Sequence, residues 1–144
     1  MKLGSDIALL VLRLTLGATM FVHGSQKLLG WFGGPGPHGF VGWMASMHVP
    51  ALFAWIAIIA EFFGGIAVAA GVLANFAALA IAIEMLVGIR LVHWKVGYFM
   101  NWGGAPNRGE GWEYSIMVFA VAVAIALMGP GRLALLSLRR ERHD

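Results

Sequence analysis

Three charged residues, Arg13, Glu61 and Glu84, each stand inside an apolar run long enough to cross a bilayer. A soluble protein keeps such groups wet at its surface. A membrane helix must turn them inward, pair them, or put them to use. The chain is 60% hydrophobic and only 12% charged over 144 residues, against roughly 25% charge in an ordinary soluble domain. That length allows one compact unit, residues 1–144, and no second domain.

A spanning helix takes about 20 mostly apolar residues. The first such run covers residues 7–29. It follows a lysine, as a signal peptide would, but no small-residue cleavage site follows it, so it reads as a retained helix. The next apolar run starts at Ala51 and continues to about Val92, roughly twice the hydrocarbon thickness, so it must fold back. The turn belongs at residues 71–75, where Gly71 and Asn75 tolerate turn geometry. This predicts a second helix over 51–71 and a third over 75–92. A shorter fourth covers 113–128 and stops at Gly129-Pro130-Gly131. The expected fold is all-α, a four-transmembrane-helix bundle with two long aromatic-rich outer loops and a basic cytoplasmic tail over 129–144.

Orientation follows the lysines and arginines in the flanks. Arg132, Arg139, Arg140 and Arg142 crowd the tail, Lys2 precedes the first helix, and residues 30–50 hold no Lys or Arg. With four spans, both termini are expected in the cytoplasm of a cell whose inner membrane holds the chain. Lys95 and Arg108 in the second loop oppose this assignment. Trp31, Trp43, Trp94, Trp102 and Trp112 fall in or beside the two outer loops, as expected of interfacial anchors or of a lid over an outer site. Within the first loop, residues 33–37 (Gly-Gly-Pro-Gly-Pro) read as non-helical, and residues 40–48 as a short interfacial helix. Gly17 and Gly24 on the first helix, and Gly64, Ala67 and Gly71 on the second, suit close helix approach.

With no cysteine, the chain has no disulfide, thiolate or cysteine-ligated metal chemistry of its own. The basic residues form no stripe for nucleic acid, and the glycines lack the strand and lysine of a phosphate loop. Helical rise places Glu61 and Glu84 near the middle of their spans, with Arg13 nearer the cytoplasmic end but able to reach inward. Two carboxylates and one guanidinium do not balance, so either one carboxylate is protonated or a second cation approaches. An ion pair that fixes packing and a proton-handling or ligand-facing group both fit. A second cluster gathers in the outer third. His23 and Lys27 lie on the first helix, Arg90 and His93 at the end of the third, and Glu113 and Tyr114 at the start of the fourth, with Lys95 and Glu110 nearby. A polar pocket for an amphipathic head and a set of snorkelling side chains are the two main readings. No His-x-x-His or Glu-x-x-His spacing supports a metal, and haem would need His23 or His93 as axial ligand.

In this order, the pieces resemble the DoxX/DoxD-like family of small four-helix membrane proteins. They are Leu12-Arg13, Phe21, His23-Gly24, Gln26-Lys27-Leu28 and Phe32-Gly33-Gly34; then Glu61, Gly64-Gly65 and Gly71; then Val92-His93 and Gly97-Tyr98-Phe99; then Gly111-Trp112-Glu113-Tyr114 and Gly129-Pro130-Gly131-Arg132. The resemblance spans nearly the whole chain. It implies an inner-membrane protein whose relatives include subunits of a thiosulfate:quinone oxidoreductase and proteins tied to thiol redox balance or oxidative stress. It carries over Arg13, Lys27, Glu61, His93 and Glu113 as family positions. Glu84 departs from it, standing beside Met85 where an apolar residue is expected, and so does Leu133-Ala134-Leu135-Leu136 after Arg132.

The first functional expectation is a membrane subunit of a redox system, binding a quinone or similar amphipathic redox molecule. Carboxylates near its oxygens would serve acid–base exchange. Because the chain lacks a cysteine pair and any flavin motif, its electrons would come from a protein partner or a bound cofactor. The alternatives are a non-catalytic accessory or assembly subunit of a larger membrane complex, and a small-solute or proton pathway through Glu61 and Glu84, which for so narrow a protein calls for a homo-oligomer.

Overall fold

The computed structural model describes residues 3–135, and the chain there is all-α. Lys2, Arg139, Arg140 and Arg142 lie outside the described residues, so the expected basic tail is seen only as far as residue 135. The helices are α1 (Leu3–Leu28), α2 (Gly36–Ser46), α3 (Ala51–Ala70), α4 (Ala74–Gly88) and α5 (Glu113–Met128). Among the described residues, three stretches are long and apolar enough to cross a membrane: Leu3–Leu28, Ala51–Ala70 and Ala74–His93. Glu113–Met128 is a shorter apolar helix.

α3 and α5 begin and end within a residue of their expected limits, for readable reasons. Pro50 caps α3 in extended backbone, and Gly71 ends it in the left-handed conformation (φ 73°). Three expectations need correction. α1 is already helical at Leu3, four residues before residue 7, and it carries a buried Asp6 in that added turn. The α3–α4 turn is shorter than 71–75: Leu73 takes the left-handed position (φ 51°), and Asn75 is already helical, its amide donating to the Ala126 carbonyl of α5 at 2.8 Å. Finally, α2 begins at Gly36, inside the segment read as non-helical, because a proline in the first turn (Pro37) costs no backbone hydrogen bond.

α4 runs on through a five-residue π-turn, Ile89–His93, in which the Trp94 amide donates to the Ile89 carbonyl at 2.7 Å. Wide turns of this kind recur beside functional sites, and this one carries Arg90 and His93.

α1 packs chiefly on α3 and α4 on α5, with α3 against α4 and α1 against α5 closing the set. The α1–α3 seam is made by glycines. A side chain on Gly65 would sit 2.6 Å from the Phe21 amide nitrogen and 2.8 Å from the Gly17 carbonyl, and one on Gly24 would strike the Phe62 backbone. Gly65, rather than Gly64, is therefore the close-contact residue on α3. Apolar side chains such as Val11, Ile59, Phe63, Leu79 and Met117 face outward, while Asp6, Arg13, Ser25, Glu61 and Ser115 are buried. The largest fully buried side chain is Arg13. In water this arrangement would be inside out; lipid requires it.

Candidate functional site

Chain direction gives the bundle two ends. One end carries α2 and residues 94–112 (the loop end); the other carries the α3–α4 turn (the turn end). In the loop half, Lys27 from the last turn of α1 reaches Glu61 in α3. Its ammonium donates to Glu61 Oε1 and stands 4.0 Å from Oε1 of Glu84 in α4. The Phe40 ring of α2 lies over the same ammonium, 4.7 Å from Nζ to the centroid, a cation–π contact that closes one side. The Glu61 side chain is 4% exposed, Lys27 19% and Glu84 16%. Glu61 Oε2 and Glu84 Oε2 are buried without a hydrogen-bond partner. Three spans and the loop-end helix thus gather one cation, two carboxyl groups and an aromatic face. The triad is electrically neutral when the carboxyl pair carries one proton.

Lys27 therefore belongs with the mid-span carboxylates and not with the outer cluster, and it stands there in place of Arg13 as their one cation. Arg13 does not reach them. It lies at the turn end, where Nη2 donates to the Leu133 carbonyl at 2.8 Å and Nε and Nη1 are buried without partners. Gly71 presses so closely on the guanidinium that any side chain there would overlap Nη1. Asp6, one heptad earlier on α1, is buried too and accepts the Arg132 amide at 3.0 Å. Together Asp6 and Arg13 fasten the segment after α5 beneath the bundle. The sequence signal for Asp6, a carboxylate seven residues from a buried arginine, went unused.

The outer cluster divides in two. His23 and Tyr114 meet: the hydroxyl is 3.3 Å from Nε2, and the phenol lies within electrostatic reach of Glu61. His93 and Glu113 instead build the second loop. His93 Nδ1 donates to the Glu110 carbonyl at 2.7 Å, and Glu113 Oε2 accepts the Met100 amide at 3.3 Å. Glu110 accepts the Asn101 amide at 2.7 Å, and Asn101 binds Ala105 and Arg108. Trp94 stacks on Trp112, and Tyr98 meets Trp112 edge-on. Arg90 is exposed and makes no polar contact with these groups. Of the six residues expected to line one pocket, Lys27 joins the two carboxyl groups, His23 and Tyr114 meet each other near Glu61, His93 and Glu113 bond to the second loop, and Arg90 stands apart. Phe40 was expected on the interfacial helix of residues 40–48, which runs instead from Gly36 to Ser46, but no role at the site was read for it. Among the described residues, no three His, Cys, Asp or Glu side chains gather as a metal-holding group.

The DoxX family profile matches residues 8–94, which hold Arg13, His23, Lys27, Phe40, Glu61, Glu84 and His93. The chain belongs to the DoxX family. It is a multi-pass membrane protein of that family, with its charged triad inside the matched region. A Bacillus subtilis (strain 168) protein named "Putative oxidoreductase CatD" is 26% identical to this DoxX chain over 130 residues, 90% of this chain and 85% of the relative. No solved structure matches the chain.

Proposed function

We propose that this DoxX protein is the membrane subunit of a redox system and binds the head of a quinone couple at the Lys27–Glu61–Glu84 site. The observation that carries this reading is the pair of buried, unpartnered carboxyl oxygens around one shared ammonium. Such atoms are costly unless a ligand or proton meets them. The relative's name supports redox chemistry for the relative, and the family resemblance supports quinone as the molecule. A bound quinone supplies two-electron redox chemistry, with electrons delivered by a protein partner. The chain's own residues hold the head, keep water out through Phe40, and place carboxyl groups where a proton can be taken up or released. On this reading His23 and Tyr114, which meet at 3.3 Å, pass that proton towards the loop end.

We further propose four spans, with α5 as the fourth. Its 16 residues rise about 24 Å, a short span that a locally thinned bilayer accommodates. Both termini then face the cytoplasm, and the tryptophan-bearing loops face outward. The two carboxyl groups sit together on one lysine and are not strung along the span, which weighs against a transmembrane relay. A docking role for the second loop is favoured by Trp102, which is 84% exposed on a loop held rigid by Asn101. It is compatible with a partner that delivers electrons.

The test is extraction of the protein, purified in mild detergent, with organic solvent. A stoichiometric quinone supports the reading. Lys27→Ala and Glu61→Gln are expected to lose it while Arg108→Ala keeps it. Quinone absent from the native preparation, with none bound on reconstitution, refutes the reading.

A further inference from the structure

The polar atoms of the Lys27 site are unequal in kind. Its one cation is engaged on three sides: Nζ donates to Glu61 Oε1, lies 4.0 Å from Glu84 Oε1 and is covered by Phe40. The atoms left over, Glu61 Oε2 and Glu84 Oε2, are carboxyl oxygens, and these accept hydrogen bonds. A single proton shared between the two carboxyl groups, which lie within hydrogen-bond reach of each other, makes the triad neutral and still leaves acceptor positions in excess of donors. With its side chain only 4% exposed, Glu61 has Lys27 as the donor to Oε1 and none to Oε2. Lys27 and Glu84 are less deeply covered, so the site has an edge through which a head group can enter. A metal ion is a poor occupant, since it would sit within a few ångströms of an ammonium and finds no third ligand of the usual kind. A neutral head that donates hydrogen bonds leaves the charge as it is and satisfies the free oxygens.

We propose that the site selects the reduced, hydroxyl-bearing form of the quinone couple, a dihydroxy aromatic head, over the carbonyl-bearing form. This rests on the quinone reading and narrows it. A quinol hydroxyl donates directly to Glu61 Oε2 or Glu84 Oε2. A quinone carbonyl accepts only: it can take an N–H of Lys27 not given to Glu61, but it leaves Glu61 Oε2 and Glu84 Oε2 unmet. The free carboxyl oxygens are therefore selective elements, and Lys27 is a positioning residue that holds them together.

The experiment is anaerobic calorimetric titration of the full chain in nanodiscs, against empty nanodiscs, with three short-chain ligands. They are a benzoquinol, its oxidised quinone, and its dimethyl ether, which keeps shape and apolarity but cannot donate. One satisfied buried acceptor corresponds to about tenfold in affinity, so the quinol is expected to bind at least about tenfold tighter than either of the others. Glu84→Gln introduces a donor in place of an acceptor and is expected to erase that preference by improving quinone binding. Should Glu84→Gln fail to fold, the quinol-to-ether ratio on the native chain still decides. Equal or tighter binding of the oxidised form or the ether overturns the selectivity and leaves the quinone reading standing. Binding of none of the three overturns both.

Discussion

Replacing Lys27 with methionine tests the centre of the molecule. Methionine keeps the apolar stem against Phe40 and removes only the ammonium. Glu61, with a side chain 4% exposed, then has no cation, and neither does Glu84. Breaking a buried ion pair by removing one partner costs about 3–5 kcal/mol, because the other charge stays buried. Lys27 is itself 19% exposed, so the loss is expected near the lower bound, about 3 kcal/mol. Adding Glu61→Gln to Lys27→Met removes the stranded charge and is expected to recover most of it, giving a coupling of about 2 kcal/mol. The assay is unfolding in mixed micelles by titration with a denaturing detergent, on the native chain, both single variants and the double. A Lys27→Met cost under about 1 kcal/mol, or single-variant costs that simply add, would refute the claim that this pair is buried and mutually dependent.

Gly71→Ala is expected to cost about 2 kcal/mol or more in the same titration, because position 71 has φ 73° and a methyl there meets the Arg13 guanidinium and Ala134; a neutral result would place Arg13 elsewhere. Asn101→Ala should open the loop over residues 94–112 without loosening the helices, seen as faster tryptic cleavage at Lys95 or Arg108 with an unchanged helical signal; unchanged cleavage would count against the loop network. The cysteine-free chain allows a topology test: an impermeant maleimide should label Gly103→Cys in intact cells and Gly4→Cys only after lysis. The reverse pattern would invert the proposed orientation.

Much of the architecture was legible in the sequence because the breaks between helices carry their own chemistry. Pro50, Gly71 and Gly129 end or begin helices for local reasons, so α3 and α5 came out within a residue. Features decided by tertiary contact were not legible. Asn75 looked like a turn residue but spends its amide on Ala126, 51 positions away. The π-turn over Ile89–His93 has no composition of its own. His93 and Glu113 looked like pocket residues because depth alone was known, and depth does not distinguish a side chain facing the bundle from one bound to the adjoining loop.

The two misplaced cations share one cause. On any helix the Cα–Cβ bond tilts towards the N-terminus, so a long side chain reaches back along its own helix. α1 runs from the turn end to the loop end, so both its cations lean towards the turn end. Lys27 starts near the loop end, and that lean carries its ammonium down into the span. α3 runs the opposite way, and Glu61 leans up to meet it. Arg13 starts below the middle, so the same lean takes it further from the carboxylates, onto Gly71 and the Leu133 carbonyl. Counting residues from a helix end places the Cα atoms correctly, but long charged side chains carry their charges several ångströms away in a direction fixed by chain polarity. In an antiparallel membrane pair, a lysine towards the C-terminal end of one helix and a glutamate midway along the next therefore converge. An arginine in the N-terminal half of the first helix diverges from that glutamate. Polarity thus separates the two buried cations of α1 into one that faces the candidate ligand site and one that fastens the opposite end.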